Sequence, residues 1–148
     1  MKKLLTLPNL LKCCAALFGL VAFILMFTNQ LYSGSSIRVY VAFDDALFGD
    51  GGAVISFIGY LLILLSCVAV CLFLFLNLDK KMVKLLNFIL AAVFLLGAVF
   101  VFIEAAVVNG SYSMFKLTAG PVIAGILAVL AGILVCASEF APDKKLGK

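Results

Sequence analysis

Residues 53–76 read AVISFIGYLLILLSCVAVCLFLFL, an apolar run of 24 residues without a charge. At about 1.5 Å per residue, a helix of this length covers roughly 36 Å, enough to cross a hydrocarbon core about 30 Å thick. The run lacks the apolar and polar alternation of a membrane β-strand. It therefore predicts a transmembrane α-helix.

Three further runs have the same character, at residues 13–31, 85–108 and 118–138. The chain of 148 residues is 66% hydrophobic and only 12% charged. Its mean hydropathy of +1.31 is too high for an ordinary soluble domain. Short connections between four spans favour an antiparallel arrangement. We expect one membrane domain over residues 1–148: an all-α integral membrane protein, folded as an antiparallel four-helix transmembrane bundle.

The basic residues indicate which way the chain crosses the membrane. If the spans alternate in direction, nine basic residues fall on one side and two on the other. Positively charged loops are retained preferentially in the cytoplasm, so both tails, residues 1–12 and 139–148, are expected to be cytoplasmic in a multi-pass protein of the cell membrane. The nine are Lys2, Lys3, Lys12, Lys80, Lys81, Lys84, Lys144, Lys145 and Lys148, and the two are Arg38 and Lys116.

The net charge of +4 therefore reflects topology. No nucleic-acid partner is expected, and the lipid bilayer itself is the expected surrounding. Each basic cluster along the sequence holds only two or three residues, too few to predict a dedicated lipid site.

The start of the chain also has features of a cleaved secretory signal, because lysines precede its first apolar run. However, the run is longer than most signal cores, and Asn29, Gln30 and Tyr32 make a poor approach to a cleavage site. We therefore expect the first span to be retained. Cleavage would leave three spans and the same side for the C-terminus.

The outer loop, residues 32–52, is the longest connection and contains a strand pattern. Period-two alternation of this kind is typical of a half-buried β-strand. The Asn109-Gly110 turn opens the second outer connection, and Phe115 beyond it could pack against or pair with the strand. A two- or three-stranded outer cap is one possible outcome. The alternating apolar positions are Ile37, Val39, Val41 and Phe43.

No metal or cofactor site is expected. Asp44, Asp45 and Asp50 follow the strand pattern, but they lack the spacing of a calcium-binding loop and the bidentate Glu that would end it. We interpret them as a solvated turn. Cys67 and Cys71 are four residues apart, but the chain has no histidine to complete a soft-metal site. Packing is the simpler role for these thiols.

Small residues mark the helix faces that should contact other helices. In a membrane, helices associate through close packing of small residues and through a few polar contacts. The last span has small residues at every fourth position, whose partner could be the same chain or a second copy. These are Gly120, Ala124, Ala128 and Gly132.

Glu104 is the carboxylate that lies deepest in a predicted span, four residues from the outer end of the third run. Intramembrane carboxylates are functional candidates by default. At a similar depth the first span offers Asn29 and Gln30, and the second offers Ser56. Arg38 or Lys116 could supply a countercharge. We therefore define a candidate polar cluster of Asn29, Gln30, Arg38, Ser56 and Glu104; a purely structural role for Glu104 is the alternative. The third run contains no proline, and its helix is expected to be continuous.

The sequence offers no acid-base or nucleophilic constellation, so an enzyme is not expected. The favoured hypothesis is a small noncatalytic four-span membrane protein that acts through protein contacts, with other membrane proteins or with itself, as an accessory, scaffold or assembly subunit. The alternative is a small transporter or channel subunit with an outward polar entrance around Glu104. The bilayer midplane lacks ionisable residues, which is unusual for a secondary transporter.

Overall fold

The computed structural model describes residues 6–34, 40–49, 53–76, 79–110 and 115–142. These residues are mostly helical, with a small three-stranded sheet. The helices are α1 (Leu7–Ile24), α2 (Phe43–Phe48), α3 (Val54–Phe75), α4 (Lys80–Phe102), α5 (Glu104–Asn109) and α6 (Ala119–Ser138), and a 3-10 turn (Leu25–Phe27) extends α1. The strands are β1 (Leu31–Ser33), β2 (Tyr40–Val41) and β3 (Phe115–Leu117).

Four helical segments are long and apolar enough to cross a membrane, which confirms the number of apolar helices predicted. They are α1 with its 3-10 turn, α3, α4 with α5, and α6. The second and fourth match the predicted runs within one residue at each end. The first begins at Leu7 rather than residue 13, because Pro8 suits the first helical turn.

The helices pack in a ring in the order α1, α3, α4, α6, with α6 closing against α1. Thr28, at the end of α1, touches Gly120 at the start of α6. At the opposite end of the bundle, Lys12 of α1 pairs with Glu139, which follows α6. These two contacts show that α1 and α6 run antiparallel. We call the end of the bundle that contains Thr28 and Gly120, next to the strands, the strand end. The opposite end, which contains Lys12 and Glu139, is the lysine end.

The bundle interior is filled with side chains, and its helices approach closely. Phe94, Ile63 and Tyr60 have no exposed surface. A methyl group added at Gly59 of α3 would lie 2.8 Å from the carbonyl oxygen of Gly97 on α4. Only glycine permits such an approach of two backbones. Gly59 and Gly97 thus fix the crossing of α3 and α4.

The sheet covers the strand end and has the order β2-β1-β3, with both pairs antiparallel. Leu31 lies in the central strand, β1, and pairs with Val41 of β2 on one side and with Leu117 of β3 on the other. Leu31 is fully buried and, with Ala53 and neighbouring apolar residues, forms a second small core beneath the sheet. The strand end is therefore a packed cap.

Three local predictions were wrong. Leu31 was placed in the first span, yet it is the first residue of β1, because the chain leaves the helix after the 3-10 turn. Phe43 was placed in the strand, and Asp44 and Asp45 in a solvated turn, but all three belong to α2. Acidic residues in a first helical turn are stabilised by the helix dipole, which favours this helix. Asp50, the third carboxylate of the predicted turn, lies outside the described residues. Residues 35–39, which include the first half of the predicted strand, lie outside the described residues.

The third run was predicted to form one continuous helix, but the structure divides it into two helices. Ile103 interrupts the regular helix and separates α4 from α5 directly before Glu104. The Ile103 amide still donates to the Val99 carbonyl at 3.0 Å, and the Val107 amide to the Ile103 carbonyl at 3.0 Å. The irregularity is therefore local, and the two helices continue along one path.

Candidate functional site

Glu104 lies inside the strand end of the bundle and has no exposed surface. Neither of its carboxylate oxygens has a hydrogen-bond partner among the described residues. The Ser56 side chain lies close enough to interact with the carboxyl, but its hydroxyl donates to the Ala53 carbonyl at 2.8 Å. Such an unpartnered buried carboxyl is unusual, because buried polar groups are nearly always hydrogen-bonded.

Gln30 and Tyr60 form the second part of this polar site. The Tyr60 hydroxyl donates to the Gln30 side-chain oxygen at 2.8 Å. The Gln30 amide nitrogen donates to the carbonyl oxygens of Met26 at 3.0 Å and Thr28 at 2.6 Å. These carbonyls lie where the α1 helix ends, so Gln30 satisfies groups that the helix leaves free. Gln30 is therefore a structural link between α1 and α3.

The structure gathers part of the predicted polar cluster. Gln30, Ser56 and Glu104 are all buried at the strand end, and the buried Tyr60 is hydrogen-bonded to Gln30. Asn29 is exposed instead, and contributes only its main-chain carbonyl, which accepts a hydrogen bond from Thr118.

The predicted countercharge for Glu104 is not found among the described residues. Lys116 is exposed, and within the described ranges the recorded ion pair is the one between Lys12 and Glu139. Arg38 lies outside the described residues. Glu104 therefore has no described cation beside it.

Tyr60 was missed in the sequence, although a signal was present. It is the one tyrosine within the four predicted spans, and it follows Ser56 by four residues, which places the two on one helix face. A buried tyrosine hydroxyl usually has a hydrogen-bond partner. Those two facts together would have added Tyr60 to the polar cluster.

The groups gathered at this site are suited to polar binding. A carboxyl, two hydroxyls and an amide can hold a proton or a small cation. Within the described ranges, no group of three histidine, cysteine or acidic residues could hold a metal ion.

A second polar network lies at the lysine end. Lys12 of α1 is nearly buried and pairs with Glu139 at 3.3 Å. The Asn87 amide of α4, also buried, donates to the same carboxylate. This network links α1, α4 and α6. Its members are separated widely in the sequence, and none of them was selected as a site residue.

The small residues of α6 face helices of the same chain. Ala124 and Ala128 have no exposed surface. A methyl group on Gly132 would lie 3.0 Å from the Ala91 carbonyl of α4, and one on Gly120 would collide with Thr28 of α1. This face is therefore occupied by α1 and α4 and is not available to a second copy.

An open groove of about 710 Å³ lies at the strand end, between the end of α1 and the start of α6. Its lining is mainly apolar and aromatic and includes Thr28, Tyr32, Tyr40, Leu117, Val122 and Ile123.

Compared with known proteins, the chain matches no family model, no curated protein and no solved structure.

Proposed function

We propose that this protein is a noncatalytic integral membrane protein that crosses the cell membrane four times and acts through contacts with other membrane proteins, as an accessory, scaffold or assembly subunit. The observation that carries the proposal is the filled interior of the bundle. Halfway along it, Ile63, Phe94 and Ala128 have no exposed surface. A single chain packed in this way offers a solute no route through its centre, so its outer surface is the better candidate for function.

The proposed orientation rests on the positions of the lysines. Lys12, Lys80 and Lys84 surround one cavity at the lysine end, whereas Lys116 lies on β3 at the strand end. The positive-inside rule then places the lysine end, with both termini, in the cytoplasm. The strand end faces outward in this arrangement.

The strand end is the proposed contact surface. Tyr40 on β2 is 54% exposed and Phe48 on α2 is 82% exposed. Large aromatic side chains are enriched in protein interfaces and among the residues that contribute most to binding. Two exposed aromatics outside the predicted spans therefore support a partner at this end.

The test is a crosslinked pull-down from native membranes, with the mass of the purified complex measured in mild detergent. We expect a different membrane protein in stoichiometric amount. The double variant Tyr40→Ser, Phe48→Ser should lose it, while Leu65→Ala, which changes an exposed side chain in the middle of α3, should retain it. A homo-oligomer without another protein, or equal recovery with both variants, would contradict the proposal.

The second candidate is a small transporter or channel subunit, in which several copies supply the wall of a pore. The observation that favours it is Glu104, a fully buried carboxylate without a described partner. Ionisable residues inside membranes often mark ion or substrate pathways. Flux in proteoliposomes that Glu104→Gln abolishes, without loss of folded protein, would favour this candidate. Undiminished flux in the folded variant would remove Glu104 from the site.

A further inference from the structure

A cavity of about 320 Å³ opens at the lysine end, where the starts of α1 and α4 meet the end of α6. Its lining includes Pro8, Lys12, Lys80, Val83, Lys84 and Glu139. Three of these six are lysines, contributed by two helices that are about seventy residues apart in the sequence. The fold thus assembles a basic cavity that no local cluster of the sequence contains.

The charges of the described residues that line this cavity do not balance. Glu139 is its one carboxylate among the described lining residues, and it is already engaged by Lys12 and by the Asn87 amide. Lys80 and Lys84 form no ion pair within the described part of the chain. They are four residues apart on one face of α4, where like charges repel each other. An anion between them would relieve that repulsion.

The start of α4 adds to the positive potential. The helix has 23 residues, its first turn contains no acidic residue, and the preceding Asp79 makes no side-chain capping bond. Its N-terminus therefore carries the partial positive charge of a long helix, which favours anions. Lysine side chains, a helix N-terminus and a cavity together match the chemistry of a phosphate group.

Apolar groups at the cavity favour a lipid phosphate over a free one. Pro8 and Val83 line it, and the Lys84 ammonium lies 6.0 Å from the ring centre of Phe140. Phe140 is 73% exposed and packs edge-on against Phe88 of α4. A headgroup in the cavity would thus lie beside aromatic surface that acyl chains can cover.

We propose that this cavity binds the phosphate-bearing headgroup of an anionic phospholipid, with Lys80 and Lys84 as the anion-binding side chains and the Lys12–Glu139 pair as its fixed wall. Basic pockets between membrane helices on the cytoplasmic side are suited to anionic headgroups. The proposal rests on membrane insertion with the lysine end inside, and it does not depend on the contact role of the strand end. A pull-down that recovers no partner protein would therefore not contradict the lipid site.

The test compares phosphatidylglycerol with phosphatidylcholine, titrated onto the purified full-length protein in mild detergent, with bound lipid counted by native mass spectrometry. Each lysine near an anionic lipid contributes about 1 kcal/mol, so Lys80→Gln and Lys84→Gln should each weaken phosphatidylglycerol binding about fivefold, and the double variant about 25-fold. Lys81→Gln is the matched control, because Lys81 is exposed in the same turn and does not line the cavity. It should change binding less than about twofold, within the small effects typical of surface changes.

Three results would overturn the proposal. Equal weakening by Lys81→Gln would mean diffuse attraction to charge, and equal binding of both lipids would mean that the phosphate site confers no selectivity for anionic headgroups. Displacement of phosphatidylglycerol by millimolar inorganic phosphate would identify a free-anion site. Lys80, Lys81 and Lys84 are exposed, so the three variants should fold. Their thermal unfolding in detergent checks this.

Discussion

Replacing Glu104 with methionine is expected to stabilise the bundle. The carboxyl has no exposed surface, and neither oxygen has a partner among the described residues. A buried polar group left without a hydrogen bond costs about 1–3 kcal/mol. Methionine is unbranched, similar in length and adaptable in packing. Glu104→Met should therefore raise the free energy of unfolding by about 1–3 kcal/mol, the range of the penalty it removes.

Gln30→Met is the matched control for this change. Gln30 is also fully buried, but its amide is fully engaged with Tyr60 and with the carbonyl oxygens at the end of α1. The same replacement there removes satisfied hydrogen bonds and leaves their partners unpaired. It should lower the free energy of unfolding by about 1–3 kcal/mol. Two substitutions to the same residue, at two buried polar positions, are thus expected to have opposite signs.

The assay is reversible unfolding in mixed micelles, driven by a denaturing detergent and followed by circular dichroism, since the chain has no tryptophan to report by fluorescence. The reasoning is refuted if Glu104→Met lowers the free energy of unfolding by more than about 1 kcal/mol, the scale of one ordinary hydrogen bond. Glu104 would then have a structural partner. A Glu104→Met variant that is more stable but has lost partner binding or flux would instead mark Glu104 as a residue kept for function at the expense of stability.

Three further predictions concern packing, the polar network and topology. Gly59→Ala places a methyl 2.8 Å from the Gly97 carbonyl oxygen and should lower the free energy of unfolding in the same assay by about 1–3 kcal/mol. Gly34 has open space around it, so Gly34→Ala should change the free energy of unfolding by less than about 0.5 kcal/mol. Equal effects of the two substitutions would contradict the close approach of α3 and α4 at Gly59. Tyr60→Phe should cost about 1–2 kcal/mol because the Gln30 oxygen loses its donor, and an unchanged unfolding midpoint would count against that bond. A C-terminal tag should resist protease in intact cells and be cleaved after permeabilisation, whereas cleavage in intact cells would invert the proposed orientation.

The four long helices could be read directly from the sequence, because a long uncharged run has one economical structure in a bilayer. The limits of the first helix could not. Lys12 reads as an end signal, but in the fold it lies within α1, held by Glu139. A contact with a residue so distant in the chain is not visible in local composition. The prediction therefore began that span too late and carried it on into Leu31.

The polar residues illustrate the same limit. Glu104 was found because a carboxylate in an apolar run is conspicuous, and Ser56 and Gln30 because they lie at a similar depth. Asn29 lies at that depth too, yet it points outward, since the chain leaves the helix after Phe27 and helical periodicity no longer applies. The basic cavity escaped prediction because Lys12 and Lys80 meet only after α1 and α4 pack against α6.

Site-specific photocrosslinking in native membranes tests the central claim most directly. A photoreactive residue at Phe48, 82% exposed at the strand end, is compared with one at Leu65, 63% exposed in the middle of α3. The proposed contact role predicts a discrete adduct of Phe48 with a different membrane protein, and no such adduct of Leu65. Adducts of Phe48 only with lipid, or only with a second copy of this chain, would contradict it.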